Sequence, residues 1–282
     1  MKKVESKILI EEIDTDGHSP MKFFCSDDSM YFVKYRSGKS LNKNEINCLV
    51  FEMICTKILQ QLHIPVPKQA LVTILENSYQ PQMLIANKKY LRPGITAWGS
   101  KEIENADLVK EAEQITHKRI FNKLGNPEDL IRIAIFDLWV DNVDRRSENY
   151  NLLTRMENGR LFYYAIDHAF TFGGLHGMNI FNASSMPSSY RKLIVSQYYL
   201  SVTRFIHKNR RIEIADQFIS LMTQLDIKRI INEVFNEIPT DWAINPVLKD
   251  RVIQFLESRD RIITLEQICK QHLQYNHWRK KS

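Results

Sequence analysis

The first part of the chain alternates short apolar runs with turn-rich segments. The runs KILIEEI, MKFFC and MYFVKY are separated by DTDGHSP and SDDS. Short apolar or alternating runs bounded by Asp, Ser, Gly and Pro are typical of β-strands joined by turns. The pattern therefore predicts three strands of an antiparallel sheet.

A helical pattern follows in NKNEINCLVFEMICTKILQQLHI. Its apolar positions recur every three or four residues and predict one buried helix face, made of Ile46, Leu49, Val50, Met53, Ile54, Ile58, Leu59 and Leu62. Pro65 and Pro67 end this helix. Two more strand-like runs, QALVTILE and QMLIANKKY, precede Pro93 and Gly94. We place the boundary between an N-terminal lobe (1–94) and a C-terminal lobe (95–282) there.

The C-terminal lobe has a mainly helical pattern interrupted by one hairpin. A polar helical stretch is predicted at about 101–123, and Asn126-Pro127 followed by two acids marks the start of another helix. That helix, DLIRIAIFDLWV, is apolar nearly all round and should be buried. Asn158-Gly159 between YNLLTR and RLFYYAI predicts a β-hairpin. From about residue 188 the apolar spacing is helical again, so the expected class is α+β with two lobes.

Composition narrows the class of protein. The chain has 282 residues, of which 44% are hydrophobic and 26% charged, and no apolar run approaches the roughly 20 residues of a membrane span. Acidic residues follow the N-terminal basic pair, where a signal peptide needs apolar ones. The four cysteines lack metal-ligand spacing. We therefore expect a cytoplasmic protein. Its net charge of +6 is spread along the chain, so nucleic-acid binding by the chain itself is not predicted.

The candidate chemistry lies in a polar loop and just after the hairpin. In VDNVDRRSENYNLL, Asp144 and Asn149 are five residues apart, and Asp167 follows the hairpin. Phosphoryl transfer needs a carboxylate at the attacking hydroxyl and hard oxygen ligands for Mg²⁺. Asp144 suits the first role, and Asn149 and Asp167 suit the second. The alternative is an Asp- and Asn-rich turn whose carboxylates pair with Arg145 and Arg146.

These segments resemble a known family. FDLWVDNVDRRSENYNLL followed by AIDHAFTFGG is similar to the catalytic segment of HipA-like kinases and, more distantly, of phosphoinositide kinases and protein kinases. The resemblance implies a protein-kinase-like two-lobed fold that uses ATP and Mg²⁺. It assigns Asp144 as the catalytic Asp and Asn149 and Asp167 as metal ligands. Protein kinases carry Phe-Gly after the last Asp, whereas this chain has His168 and Ala169.

The N-terminal lobe offers a lysine and a glutamate of the kind that kinases use. Lys34 lies within the strand-like MYFVKY, and such a lysine reaches the nucleotide phosphates when a helix glutamate positions it. Glu45 and Glu52 are seven residues apart on one side of the helix, so either is able to meet Lys34. The resemblance, in which Asn-Glu opens this helix, favours Glu45. The alternatives are an outward-facing Lys34 and a solvated Glu45.

The nucleotide contacts are the least defined part. No glycine other than Gly17 precedes the strand lysine, so a G-x-G-x-x-G loop is absent. DGHSPMKFF resembles the shorter phosphate-covering loop of HipA-like kinases, in which Ser19 would contact phosphate oxygens, although an ordinary hairpin turn is the alternative. The adenine is expected near LIANKKY, against the backbone of Ala86, Asn87 and Lys88, because this run follows the last strand predicted for the N-terminal lobe.

The predicted function is an ATP- and Mg²⁺-dependent phosphotransferase, most simply a HipA-like serine/threonine protein kinase. A lipid or small-molecule kinase on the same fold is an alternative, since the catalytic residues do not determine which acceptor is bound. A catalytically silent nucleotide-binding adaptor is disfavoured, because Lys34, Asp144, Asn149 and Asp167 are all present. The expected partners are a protein substrate and an antitoxin-like or regulatory protein.

Overall fold

The structure is a computed structural model that describes residues 1–15, 19–36, 45–110, 113–173 and 186–274. Its strands are β1 (Lys2–Glu12), β2 (Met21–Cys25), β3 (Met30–Lys34), β4 (Gln69–Thr73), β5 (Thr96–Lys101), β6 (Ala106–Leu108), β7 (Leu152–Glu157) and β8 (Arg160–Ala165). Its helices are α1 (Glu45–Gln61), α2 (Lys118–Phe121), α3 (Asp129–Trp139), α4 (Gln197–Thr203), α5 (Lys208–Thr223), α6 (Ile227–Glu237), α7 (Val247–Leu256) and α8 (Arg259–Gln274).

The N-terminal lobe is a small closed barrel with one helix against it. Its strand order is β1-β2-β3-β5-β4, and the parallel pairing of β1 with β4 closes it. Inward positions alternate along the strands, as in β2, where Met21, Phe23 and Cys25 are fully buried. The three N-terminal strands and α1 are confirmed, and all eight apolar positions of the predicted helix face are buried.

The fifth strand of this barrel is not the one that the sequence predicted. A short 3-10 turn (Pro81–Met83) overlaps the start of QMLIANKKY, and bends and turns follow it. The buried Leu84 is followed by the largely exposed Ile85. TAWGSK forms β5 instead, because its backbone pairs with β3 on one side and β4 on the other. This strand of the barrel therefore lies beyond residue 94, where the sequence analysis placed the lobe boundary.

The C-terminal lobe is built around the buried helix α3. Every residue of α3 except Arg132 is buried, as its apolar sequence predicts. The hairpin β7–β8 is confirmed, with Asn158 and Gly159 both at positive φ in its turn, and β6 adds a third strand. The predicted polar helix at 101–123 is wrong, because that stretch holds the end of β5, β6 and the single turn of α2. Helices α4 to α8 confirm the helical pattern after residue 188.

Contacts from the C-terminal helices reach the N-terminal lobe. Lys57 of α1 lies 3.1 Å from Glu233 of α6, and the indole N–H of buried Trp242 donates to the backbone carbonyl of Thr96 at 2.7 Å. These contacts fix α1 and β5 against the helical lobe. All four cysteines are buried. Within the described ranges, no helix is both long and apolar enough to cross a membrane.

Candidate active site

The loop after α3 is shaped by buried polar contacts. Asn142 is fully buried, and its amide donates to the Asp137 carboxylate at 3.0 Å. Its carbonyl oxygen accepts from the backbone N–H groups of Asp144 (3.1 Å) and Arg145 (3.3 Å). The loop therefore turns around a side chain anchored in α3, which is a common use of Asn in turns.

Asp144 lies at the rim of this loop and is held by two amides. The side-chain N–H groups of Asn149 and Asn151 each donate to Asp144 Oδ2 at 2.9 Å. Because both bonds end on the same oxygen, the orientation of the carboxylate is fixed. In the part of the chain that the structure describes, Oδ1 is the oxygen that remains for an incoming hydroxyl. The structure thus brings Asp144 and Asn149 together.

Lys34 ends β3 inside the cleft between the lobes. Its ammonium nitrogen lies 2.8 Å from Glu52 Oε1 and 3.0 Å from Asp167 Oδ1. Burial disfavours the charged ammonium, but the two carboxylates outweigh burial and raise the pKa of Lys34 above its usual range. Lys34 is therefore a buried, charged lysine rather than an outward-facing one.

The helix glutamate that contacts Lys34 in the described residues is Glu52, whereas the sequence analysis favoured Glu45. Glu45 begins α1, and its side chain lies outside the described residues. Two helical turns separate the residues, roughly 10 Å along the axis. Packing of α1 across the barrel brings the later turn to Lys34. Burial raises the pKa of Glu52, while Lys34 opposes that shift.

Asp167 and His168 join this pair from the other lobe. Asp167 has a left-handed backbone, with φ 55°, and the N–H of His168 donates to Glu52 Oε2 at 2.8 Å. The imidazole is buried, with Nε2 2.8 Å from the Arg145 guanidinium. Burial, followed by the positive charge of Arg145, lowers the pKa of His168 well below its ordinary value. His168 is therefore neutral.

Arg145 is fully buried and contacts several groups of the site. It lies 2.8 Å from Asp137 and donates to the backbone carbonyls of Tyr150, at 3.1 Å, and Asn151. The alternative in which the loop arginines pair with the site carboxylates is not what the structure shows. Arg145 forms an ion pair with Asp137, and the half-exposed Arg146 lies 3.6 Å from Glu148.

The loop that was predicted to cover the phosphates is described only in part, because Gly17 lies outside the described residues. Ser19 is buried, with φ 43°, and its hydroxyl donates to the Thr15 carbonyl at 3.4 Å. The buried amide of Asn87 donates to the Ser19 carbonyl at 2.8 Å and to Glu12 at 2.6 Å. The stretch from Ala86 to Lys88 thus braces this loop. Its assignment to adenine assumed a preceding barrel strand, and that assumption is wrong.

The donor set suits a metal ion shared with phosphates. The side-chain N–H of Asn149 donates to Asp144, so the amide oxygen of Asn149 points away from Asp144. The side chain of Asp167 is one-third exposed. No cluster of three or more His, Cys, Asp or Glu side chains able to hold a metal ion occurs in the described segments. Mg²⁺ does not need such a cluster, because one or two protein oxygens plus phosphates and water complete its shell.

Several of these groups escaped the sequence analysis. Asn151 and Asp137 were not assigned a role there, and the contact between Arg145 and His168 was not foreseen. One signal existed, since Asp137 stands among apolar residues in the second half of α3, and a carboxylate at such a position needs a buried partner.

Comparisons with known proteins identify the family of this chain. A family model described as HipA-like kinase matches residues 9–280. No curated protein sequence matches significantly. The Golgi casein kinase solved with Mn/ADP bound has 12% identity and a TM-score of 0.48, over 97% of this chain and 73% of that one.

Two further solved structures show a similarly distant likeness. The Helicobacter pylori proinflammatory kinase CtkA has 10% identity and a TM-score of 0.42, over 94% of this chain and 99% of that one. HipA of Shewanella oneidensis MR-1, solved with HipB and operator DNA, has 11% identity and a TM-score of 0.40, over 80% and 56%. The family match extends over nearly the whole chain, so the protein belongs to the HipA-like kinase family and is a kinase with a two-lobed α+β fold.

Proposed function

We propose that the protein is an ATP- and Mg²⁺-dependent kinase that phosphorylates serine or threonine hydroxyls of a protein. The observation that carries the proposal is the contact of buried Lys34 with both Glu52 and Asp167. One side chain comes from the barrel, one from α1 and one from the segment after the hairpin. A positive charge fixed between two carboxylates suits the phosphates of a nucleotide.

The metal ligands in this proposal are Asn149 and Asp167. Both present oxygen atoms, which Mg²⁺ prefers, and both lie on the loops that flank β7 and β8. When bound, the ion would neutralise charge on the transferred phosphoryl group. Lys34 contacts one oxygen of Asp167.

Asp144 is assigned to the acceptor hydroxyl. Its Oδ2 is held by Asn149 and Asn151, so Oδ1 is oriented to accept the proton of an incoming serine or threonine. A carboxylate in a fixed orientation acts mainly by placing the oxygen nucleophile in line with the phosphorus atom.

The adenine is proposed to lie against the linker 102–105 rather than against Ala86, Asn87 and Lys88. This linker follows β5, the true last strand of the barrel, and joins it to β6 of the other lobe. The loop with Gly17 and Ser19 stays assigned to the phosphates, and Asn87 supports it through the Ser19 carbonyl.

A regulatory protein partner is part of the proposal. The family match motivates it, and HipA of Shewanella oneidensis was solved together with HipB and operator DNA. An antitoxin-like partner, when added to the transfer assay, would change the rate of labelling.

The test is incubation with γ-labelled ATP, Mg²⁺ and three acceptor classes, namely proteins including the enzyme itself, lipids, and small alcohols. Asp167→Asn is the inactive control. Label on Ser or Thr of a protein, present with wild type and absent with the variant, is expected. Transfer confined to a lipid or a small molecule would reject the protein acceptor. No transfer and no ATP turnover in any arm would reject the kinase proposal.

A further inference from the structure

A continuous buried chain of polar groups connects the two halves of the site. Asp137 and Arg145 are fully buried, and His168 and Glu52 are each 1% exposed. Groups of this kind are costly to bury unless each is paired. Each contact in this series is 2.8 Å long. They join Arg145 Nε to Asp137 Oδ2, the Arg145 guanidinium to His168 Nε2, and the backbone N–H of His168 to Glu52 Oε2.

The contact between Arg145 and His168 has a fixed direction. A guanidinium only donates hydrogen bonds, so His168 Nε2 must accept and the proton of the neutral ring must lie on Nδ1. That Nδ1 is 3.9 Å from Glu52 Oε2. The ring thus turns its electron-rich nitrogen to the cation and its N–H toward the carboxylate, which stabilises both neighbours.

On one side the chain reaches Lys34. The backbone N–H of His168 donates to Glu52 Oε2, while Glu52 Oε1 contacts the ammonium of Lys34. A shift of the His168 ring moves the backbone that holds one oxygen of Glu52, and so moves the partner of the lysine.

On the other side the chain reaches Asp144. Arg145 donates to the backbone carbonyl of Asn151, whose amide donates to Asp144 Oδ2. Arg145 also follows Asp144 directly, with both backbone N–H groups bound to Asn142. The guanidinium therefore holds the loop that presents the carboxylate.

On the basis of the proposed kinase function, we propose that Arg145 and His168 are positioning residues that set Asp144 and the Lys34–Glu52 pair relative to each other. They touch neither nucleotide nor acceptor. They determine whether the acceptor carboxylate and the phosphate-binding lysine are in productive geometry at the same time. His168 stands where protein kinases carry Phe, and this chain uses a hydrogen-bonding ring there.

The test compares His168→Phe with His168→Gln. Phenylalanine fills the space but leaves the Arg145 donor without its acceptor, whereas glutamine offers an oxygen near the position of Nε2. We expect His168→Phe to lower kcat/KM, per folded enzyme, by about 10- to 100-fold, the range for lost supporting contacts in a site. His168→Gln should recover part of that loss.

The matched control is Ser6→Ala, which removes a buried hydroxyl far from the cleft. Ser6 bonds Ser78 at 2.6 Å and the N–H of Leu75 at 2.9 Å, so its loss should lower Tm without changing kcat/KM per folded enzyme. If His168→Phe behaves like this control, with lower Tm and kcat/KM within about threefold of wild type, the positioning role is overturned.

A double-mutant cycle with Glu52→Gln adds a comparison of kcat/KM losses that does not respond to a loss of stability alone. If His168 acts through Glu52, the double variant should lose little more than the worse single variant. Independent, multiplicative losses would overturn the proposal. For wild type, ¹⁵N spectra of the histidine rings should show His168 protonated on Nδ1 only. A proton on Nε2 would overturn the proposal even if His168→Phe does not fold.

The outcomes separate this inference from the function on which it rests. Wild type without any ATP turnover would remove the proposed function and the positioning role with it. An active wild type whose His168 variants match the Ser6 control would remove the positioning role alone.

Discussion

Replacement of Asp144 by asparagine tests the division of roles in the cleft. The change keeps the size of the side chain and one oxygen. The Asn149 and Asn151 amides both donate to one oxygen of Asp144, so the variant keeps these contacts by pointing its own oxygen at them. Its NH₂ group then faces the acceptor, where it donates a hydrogen bond instead of accepting the hydroxyl proton.

The magnitude follows from that exchange of acceptor for donor. Two charge-assisted hydrogen bonds become neutral ones, which costs about 1 kcal/mol each and leaves the fold intact. Loss of the group that accepts the proton typically lowers the rate by about 10² to 10⁴, equivalent to roughly 3–5 kcal/mol of activation free energy. Binding of ATP with Mg²⁺ should change little, because Asp144 is not assigned to the metal.

The assay pairs kcat with calorimetric titration of a non-hydrolysable ATP analogue in the presence of Mg²⁺. We expect a large fall in kcat and an analogue Kd within about threefold of wild type. If Asp144→Asn weakens nucleotide binding as severely as Asp167→Asn does, Asp144 is a metal ligand and the assignment of roles is wrong.

Three more outcomes are expected. Asp167→Asn and Asn149→Ala should abolish Mg²⁺-dependent turnover with an unchanged circular dichroism spectrum, because both are loop residues that supply metal oxygens. Glu52→Gln should lower kcat/KM by about 10- to 100-fold through a misplaced lysine, whereas Glu45→Gln should stay within about threefold. Glu128→Gln should cost about 0.5–1 kcal/mol in urea unfolding at pH 7 and almost nothing at pH 3. Arg210 hydrogen bonds lower the pKa of Glu128, so its contribution exists above the unfolded pKa near 4.5 and disappears as the pH falls through the folded value.

Each outcome has a result that contradicts it. Unfolded Asp167 or Asn149 variants would mean that the side chains are structural, and full activity would remove them from the site. Equal losses for the Glu52 and Glu45 variants would mean that Glu52 is not the specific partner. A stability gap for Glu128→Gln that is the same at both pH values would mean that its carboxylate charge contributes nothing.

The choice between Glu45 and Glu52 shows where sequence reasoning stopped. Helical periodicity places the two glutamates on one side of α1, and this is a local property of the chain. The turn that meets Lys34 depends on how far α1 is displaced along the barrel. That displacement is set by packing with α6, including the contact from Lys57 to Glu233.

The strand β5 shows the same limit in the fold. TAWGSK is short and contains a glycine, so no alternation marks it as a strand. Gly99 lies where a Cβ would come within 2.8 Å of a Val72 methyl group, so its glycine serves close strand packing. Pairing with β3 and β4 makes the segment a strand, and both partners lie far from it in the sequence.

The sequence by itself determined the three N-terminal strands, helices α1 and α3, the hairpin, and the order Lys34, Asp144, Asn149, Asp167, because periodicity, turn residues and spacing are local. Only the tertiary structure decided that Glu52 meets Lys34, that Asn151 holds Asp144, and that Arg145 is buried against His168. The contacts of Lys34 with Glu52 and of Arg145 with His168 are buried and join residues from different elements, whereas Asn151 reaches Asp144 within one loop. No pattern within one segment encodes a distance that is set by the packing of two lobes.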